Sequence, residues 1–469
     1  MPLSLEAQML AAIIVATVAL WVTEALPLPV TALAAVVACV VAGVAPAKEV
    51  FRPFAEPLVF LFIGSFMLAE AIRVHRLDRR LAFTVLAVPW VGEVPGRILA
   101  AVAVVSATIS AFISNTATTA MMVAIALGIL SAVEDASRDQ AAPDGSPARP
   151  LNPRFATGLL LAVAFSASIG GLATPIGTPP NLIGLAFIRQ TLGIEVSFFG
   201  WCALGVPIAA GLTVATVALL TWLFPAGVER LPGVAQLVAR ERRLQGGWST
   251  GQRSTALAFG LTVSLWTLPG VLSLLLGQGH PAVAWLGTHL PEGVAALIGA
   301  ILLFVLPGGP GRRALEWREA AGIDWGIILL YGGGMALGEL AFSTGLAGAV
   351  GQGLTGWLPA GSAGGAALVV AATVVAVVTS EFTSNTASAN MVVPVVIALA
   401  EATGGNPLPA ALAATFASSL GFMMPVSTPC NAIAYGTGRI PLRAMMSSGI
   451  LLDLLGAIVI AAAMLAFAG

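Results

Sequence analysis

A phrase of four residues occurs twice, Ser114-Asn115-Thr116-Ala117 and Ser384-Asn385-Thr386-Ala387, each time midway along an apolar stretch. A second phrase recurs with it, Pro175-Ile176-Gly177-Thr178-Pro179-Pro180-Asn181 and Pro425-Val426-Ser427-Thr428-Pro429-Cys430-Asn431. Polar side chains and helix-breaking prolines at membrane depth are costly, and are tolerated where the backbone lines a protein-enclosed cavity. Two copies in corresponding places imply a duplicated fold whose binding site lies where the copies meet.

The membrane setting follows from composition. The 469-residue chain is 58% hydrophobic and only 9% charged, against about 25% charged in a soluble protein. It therefore reads as a polytopic membrane protein. A net charge of −1 points to no nucleic acid and to no strongly charged partner. Cys39, Cys202 and Cys430 are scattered, with neither metal-ligand spacing nor a disulfide framework. The first nine residues carry no basic run ahead of the apolar one, so a cleaved signal peptide is not expected.

A full span needs roughly 20 apolar residues. Ten are expected, near 8–25, 28–45, 56–73, 155–188, 198–224, 254–276, 291–306, 323–342, 408–438 and 445–468. Two more apolar stretches, 98–132 and 365–401, are interrupted by Ser-Asn-Thr, which favours turns and caps over helix interiors. Each is expected to be a re-entrant helical hairpin that enters and leaves on one side.

Basic residues set the sides. Arg73, Arg76, Arg79, Arg80, Arg97, Arg138, Arg149 and Arg154 bracket the first hairpin, so its open end should be cytoplasmic. The flanks of the second, Ser343 to Gly364 and Glu401 to Pro409, have no Lys or Arg and should face outward. Arg230, Arg240, Arg242, Arg243 and Arg253 place the mid-chain linker inside, as do Arg312, Arg313 and Arg318 for a later loop and Arg439 with Arg443 near the end. Lys48 and Arg52 fall outside on this threading, as do both termini. The halves are thus expected to have opposite orientation.

The repeat is quantitative. Ser114 and Ser384 lie 270 positions apart, Asn181 and Asn431 250. The missing 20 match a polar insertion, Glu134–Pro153, read as a flexible cytoplasmic loop. Gly64 with Met67 pairs with Gly332 and Met335 at a similar offset.

The phrases carry the chemistry. A helix starting just after each Ser-Asn-Thr directs unpaired N–H groups and its positive dipole end into the centre. Hydroxyl and amide groups add neutral donors for an anion, and their oxygens can ligate a small hard cation. Pro179 and Pro429 interrupt the helix ladder and free nearby carbonyls. Such residues also serve as interhelical glue, but recurrence of both phrases in register points to a site. No Lys, Arg or His lies within 98–132, 155–188, 365–401 or 408–438. A bound anion must then be compensated by helix dipoles plus a co-bound cation, a physical reason to expect Na⁺ coupling.

With these motifs, the chain resembles the divalent anion/Na⁺ symporter family, which includes Na⁺-coupled di- and tricarboxylate transporters. The resemblance covers nearly the whole chain and rests on residues 23–33, 62–80, 113–118, 175–181, 380–388 and 425–431. It implies an all-α polytopic inverted-repeat protein with broken helices at the midplane. It also implies a homodimer of scaffold and transport domains moving like an elevator in the plasma (inner) membrane. Scaffold helices would occupy 1–97 and 254–364, transport halves 98–228 and 365–469, and a cytoplasmic linker 229–253.

The resemblance further implies a first Na⁺ site at Ser110, Ser114, Asn115 and Gly177, and a second at Ser380, Ser384, Asn385 and Ser427. Two or more Na⁺ ions would be co-transported, with no organic cofactor. Substrate carboxylates would meet Ser114, Asn115, Thr116, Thr178 and Pro179 from one half. Ser384, Asn385, Thr386, Thr428 and Pro429 would meet them from the other. Ser110 and Ser380 stand one helical turn before a motif serine, within reach of the same ion.

Three departures from the family pattern stand out. Ser380 replaces a frequent Thr but keeps the hydroxyl, Cys430 replaces a second proline beside Ser427, and the usual first span is expected to be absent.

Among carboxylates, Glu381 beside Ser380 is read as holding its hairpin to a neighbour rather than as a proton carrier. Glu24, Glu70, Glu339, Asp324 and Asp453 lie near span ends, and His75, His280 and His289 in loops.

The leading expectation is Na⁺-driven uptake of a small dianion, a C4-dicarboxylate such as succinate, malate or fumarate. The alternatives are a Na⁺-independent dicarboxylate exchanger, or a sulfate or tricarboxylate transporter of the same family. An enzyme is not expected, because the spans hold neither a nucleophile with a base nor a metal cluster.

Overall fold

The computed structural model describes residues 3–23, 25–139, 152–277, 279–355 and 365–468. Glu24, Arg149 with most of the 134–153 insertion, and 356–364 on the flank of the second hairpin lie outside them.

The first half begins with α1 (Leu5–Thr23), α2 (Leu28–Val41), the short α3 (Ala47–Val50), α4 (Pro57–Val74) and α5 (Leu77–Leu86). A hairpin of α6 (Pro95–Ser110) and α7 (Asn115–Asp139) follows, then a broken helix, α8 (Pro153–Gly170) and α9 (Pro179–Leu192). The half closes with α10 (Phe198–Leu223), and α11 (Val234–Gln245) links it to the second.

There α12 (Thr250–Leu276), α13 (Pro281–His289) and α14 (Glu292–Val305) precede α15 (Trp317–Ala320), α16 (Trp325–Ser343) and α17 (Leu346–Thr355). The second hairpin is α18 (Gly365–Phe382) with α19 (Asn385–Ala402). The second broken helix is α20 (Pro407–Ala417) with α21 (Pro429–Tyr435), and α22 (Leu442–Ala468) ends the chain.

From α4 onward the second half reproduces the first in order, α4 to α10 matching α16 to α22. One feature departs from an all-α reading. Residues between α14 and α15 form a small antiparallel ribbon, β1 (Pro307–Gly309) with β2 (Arg312–Arg313).

Local chemistry sets the ends of these helices. Proline opens α4, α6, α8, α9, α20 and α21, where its missing N–H costs no helical bond. Ser197 caps α10 by accepting from the Gly200 amide, and Ser249 with Gln252 forms a capping box on α12. Among the described residues, ten helices are long and apolar enough to cross a membrane. Three of them, α7, α18 and α19, are hairpin arms. Their place among full crossings is taken by α2, by the broken pair α20 and α21, and by α14.

The halves are interlocked by exchanged contacts. Helix α14 packs along α4, and α2 packs along α16. A Cβ at Gly64 would lie 2.6 Å from the Ala296 main chain, and one at Gly333 would lie 2.7 Å from Ala32 Cβ. Each glycine thus admits an alanine of the other half at backbone distance. Beside this seam the Phe62 and Tyr331 rings meet edge-on, with centroids 5.3 Å apart.

Segments assigned to one side by their basic residues touch one another. Arg79 pairs with Glu241 at 2.7 Å, Arg439 with Glu134 at 2.8 Å, and His75 Nε2 lies 2.7 Å from the Ala314 carbonyl. Segments assigned to the other side do the same, Arg52 pairing with Glu339 at 2.8 Å. The Glu292 carboxylate accepts from the Phe198 amide.

Candidate functional site

Each hairpin turns at its Ser-Asn-Thr phrase. In the first, Ser110 ends α6 and its hydroxyl donates to Asn115 Oδ1 at 2.6 Å, across the turn. In the second, Ser380 Oγ lies 2.8 Å from both Asn385 Oδ1 and the Ser418 carbonyl, a shared donor. Ser384 caps α19 by accepting from the Ala387 amide at 3.2 Å.

The broken helices are held open by their asparagines. Asn181 Nδ2 donates to the Gly171 and Thr174 carbonyls, both at 2.8 Å. Asn431 Nδ2 donates to the Gly421 and Met424 carbonyls, both at 2.9 Å. A helix interrupted by proline leaves buried carbonyls that need donors; one amide at each break supplies two. The asparagine of each Thr-Pro-x-Asn phrase therefore acts on its own backbone.

Hairpin and break are joined in each half. The Thr174 hydroxyl donates to the Ala111 carbonyl. In the second half the Ser427 hydroxyl takes that place, 2.9 Å from the Glu381 carbonyl oxygen and 2.8 Å from Glu381 Oε2. The same carboxylate accepts from the Met423 and Met424 amides at 2.8 and 3.2 Å, so Glu381 clamps hairpin to break. Gly177 lies where a Cβ would stand 2.5 Å from the Gly171 carbonyl oxygen. The fold brings the two main-chain segments together only without a side chain there.

All four motif segments line one cavity of about 310 Å³. Ser114, Asn115, Thr116, Thr178 and Pro179 face it from the first half. Ser384, Asn385, Thr386, Thr428 and Pro429 face it from the second. Gly177 and Ser427 also line it, whereas Ser110 and Ser380 are fully buried behind the tips and reach the asparagines from outside the wall. Helices α7, α9, α19 and α21 begin at this cavity; α7 and α19 bring first-turn N–H groups to it, whereas α9 opens on Pro179 and Pro180, which have none. The seven-residue α21 is too short to add a developed dipole.

Other lining residues were not assigned to the site by the sequence reading. Ser65, Phe62 and Phe66 come from α4, Ser168 from α8, and Asp324 from the start of α16. Ser168 matches Ser418 in the repeat register, a signal that pairing every polar residue would have found. Asp324 caps α16, its Oδ1 accepting from the Ile327 amide at 3.3 Å. No Lys, Arg or His is among the described residues lining the cavity, and Asp324 adds a negative charge. The wall holds neutral donors and oxygens, with no fixed cation.

The fold has solved counterparts at low sequence identity. The Alcanivorax borkumensis YdaH transporter aligns with a TM-score of 0.55 at 15% identity, over 89% of this chain and 86% of that one. Neisseria gonorrhoeae MtrF aligns with a TM-score of 0.57 at 14% identity, over 89% and 82%. These similarities concern the fold alone.

Sequence relatives are nearer. The sodium-dependent dicarboxylate transporter SdcS of Staphylococcus saprophyticus is 31% identical over 453 residues, 94% of this chain and 82% of its own. The protein of the same name from Staphylococcus aureus strain USA300 is 30% identical over 452 residues, with the same coverage. Residues 1–468 match the family described as the sodium:sulfate symporter transmembrane region. With duplicated tips and breaks around one cavity, and that match over essentially its full length, the chain belongs to the sodium:sulfate symporter family of multi-pass membrane transporters.

Proposed function

We propose that the protein carries a small divalent anion, a C4-dicarboxylate, across the plasma membrane together with Na⁺. One observation carries the reading. Ten uncharged motif residues, five from each half, converge on a single cavity that has no cationic side chain among the described residues. A dianion there meets hydroxyls, amides and helix N-termini, and needs positive charge from elsewhere. Na⁺ supplies it. The Ser110–Asn115 and Ser380–Asn385 oxygen pairs, which share a proton at 2.6 and 2.8 Å, can turn their lone pairs to an ion on rotation of the hydroxyl. Two Na⁺ beside a dianion make an electroneutral load.

Movement is proposed to follow the scaffold and transport division, in a homodimer. The two sets of helices meet at glycines on α16. A Cβ at Gly334 of α16 would overlap Asn390 of α19, and one at Gly338 would overlap Phe187 of α9. Glycines on α16 thus receive side chains of α19 and α9, so the proposed movement has to withdraw Asn390 and Phe187 from these notches. On the sidedness set by the arginines, the cavity is bordered by the cytoplasmic ends of α2 and α16, through Pro29 and Asp324. This is an inward-facing arrangement.

The test is uptake of labelled succinate into proteoliposomes with an inward Na⁺ or K⁺ gradient. Na⁺-dependent accumulation is expected. Equal rates with both ions would assign the protein to exchange instead. The family description names sulfate, so competition by sulfate against succinate is the second arm. Sulfate displacing succinate at lower concentration than malate or fumarate would move the substrate assignment to the inorganic dianion.

A further inference from the structure

A second cavity, of about 180 Å³, lies at the seam and is lined by none of the Ser-Asn-Thr or Thr-Pro-x-Asn residues. Its wall comes from α1 and α17, from Gly334 and Gly338 of α16, and from Asn390 and Phe187, the two side chains those glycines receive. Most of the wall is apolar. Thr17 and Trp21 of α1 direct their polar atoms to main-chain carbonyls, those of Ile13 and Leu28. An apolar cavity of about 150 Å³ stays dry and accepts a molecule the size of benzene. Val350 and Val395 line this one and are exposed, so it reaches the apolar outer face of α17 and α19.

One polar group in the wall is left over. Asn390 is 6% exposed, and its Nδ2 donates to the Thr386 carbonyl at 3.0 Å. No donor reaches its Oδ1 among the described residues. Buried polar atoms are nearly always paired, so this oxygen calls for a partner. The main chain at the same residue is short of its usual donor as well. Pro394, one turn further along α19 and also in the wall, has no N–H to offer the Asn390 carbonyl. The cavity is thus an apolar chamber whose free polarity is acceptor oxygen, gathered at Asn390.

The first half builds its hairpin from different residues. In hairpin register Asn390 and Pro394 correspond to Ala120 and Ala124. At the offset that pairs Gly64 with Gly332, Gly334 and Gly338 correspond to Phe66 and Glu70. Alanines suffice for that helix, so the repeat itself requires neither the buried amide nor the proline.

We propose that this cavity binds a ring-sized apolar molecule carrying one hydrogen-bond donor, a phenol in chemical class, and that its occupancy arrests transport. The ring fills the chamber and the hydroxyl donates to Asn390 Oδ1. An acyl chain from the bilayer would fill the same space and leave that oxygen unanswered. Asn390 and Phe187 have to leave the Gly334 and Gly338 notches when the bodies move, and a ligand seated against both side chains keeps them there. Binding stands on the cavity alone, whereas the effect on transport rests on the movement and the Na⁺ symport proposed above.

The test compares phenol with toluene, which is of nearly equal size, in proteoliposomes taking up succinate on a Na⁺ gradient. Phenol should lower the maximal rate and leave the KM for succinate unchanged, at a lower membrane concentration than toluene needs. Asn390→Leu removes the acceptor and should raise the half-inhibiting phenol concentration roughly 2- to 12-fold, the weight of one neutral hydrogen bond. Its sensitivity to toluene should not fall. Ala347→Leu fills the chamber from α17 and should weaken inhibition by both molecules. Inhibition relieved by excess succinate overturns the proposal, as does equal potency of phenol and toluene or a wild-type phenol response in Asn390→Leu. Should Asn390→Leu not fold, undiminished inhibition of Ala347→Leu overturns it. Absence of Na⁺-dependent uptake is a distinct outcome, which sinks the symport reading and leaves the site to thermal unfolding. There phenol should raise the midpoint of the wild type by mass action and that of Ala347→Leu by less, and a wild-type midpoint that does not rise overturns the site.

Discussion

Gly184 of α9 lies against Thr415 of α20 so closely that any Cβ would overlap the threonine hydroxyl. This contact crosses from the broken helix of one half to that of the other, and Thr415 in turn donates to the Ala411 carbonyl at 2.7 Å. The two breaks are therefore set at a fixed separation by backbone-to-side-chain packing. Gly184→Ala should destabilise the protein by about 1–3 kcal/mol through overpacking. Thermal unfolding in detergent should show this, with Gly184→Ala/Thr415→Ala recovering part of the loss. An unchanged midpoint would show that the breaks are free to shift.

The tip asparagines should be indispensable to transport. Asn115→Ala and Asn385→Ala each remove a donor–acceptor group from the cavity wall and the partner of Ser110 or Ser380. Loss of a hydrogen bond to a charged group costs about 1.5–3 kcal/mol, or roughly 10- to 150-fold in affinity. Na⁺-dependent uptake should fall by at least that much while size-exclusion behaviour stays that of wild type. Near-normal uptake in either variant would remove the central site assignment.

The break asparagines should matter for stability first. Asn181→Ala or Asn431→Ala strips donors from two buried carbonyls, at about 1–3 kcal/mol for each unsatisfied group. The midpoint of thermal unfolding should drop for both, and by more than for either tip variant. A stable Asn181→Ala protein would mean that water replaces the amide.

Glu381→Gln replaces a carboxylate fed by three donors with an amide that directs its own N–H groups at some of them. Thermal stability should fall and the pH profile of uptake should keep its shape. A shifted profile would assign proton carriage to this carboxyl.

Arg52→Ala should do little. The Arg52–Glu339 pair is exposed on the arginine side, and surface pairs contribute about 0–1 kcal/mol. Both unfolding midpoint and uptake should stay near wild type. A large loss of uptake would place the pair on the path of domain movement.

The repeated phrases made the core of this protein legible in its sequence. Proline cannot continue a helix, and Ser-Asn-Thr prefers turns and caps, so the positions of tips and breaks follow from residue chemistry alone. The absence of Lys, Arg and His from those stretches likewise announced a cavity without fixed cations. Other features depended on contacts between segments far apart in the chain. Nothing in the Thr-Pro-x-Asn phrase distinguishes a ligand-binding asparagine from one that closes its own break. Asp324 and Ser65 enter the cavity wall because the start of α16 and the middle of α4 face the tips across it. Asp453 reads as a lone carboxylate until α22 is laid against Glu381 and the Phe422 main chain. Local conformational preference is written residue by residue, but which buried group meets which partner is settled only when distant helices pack.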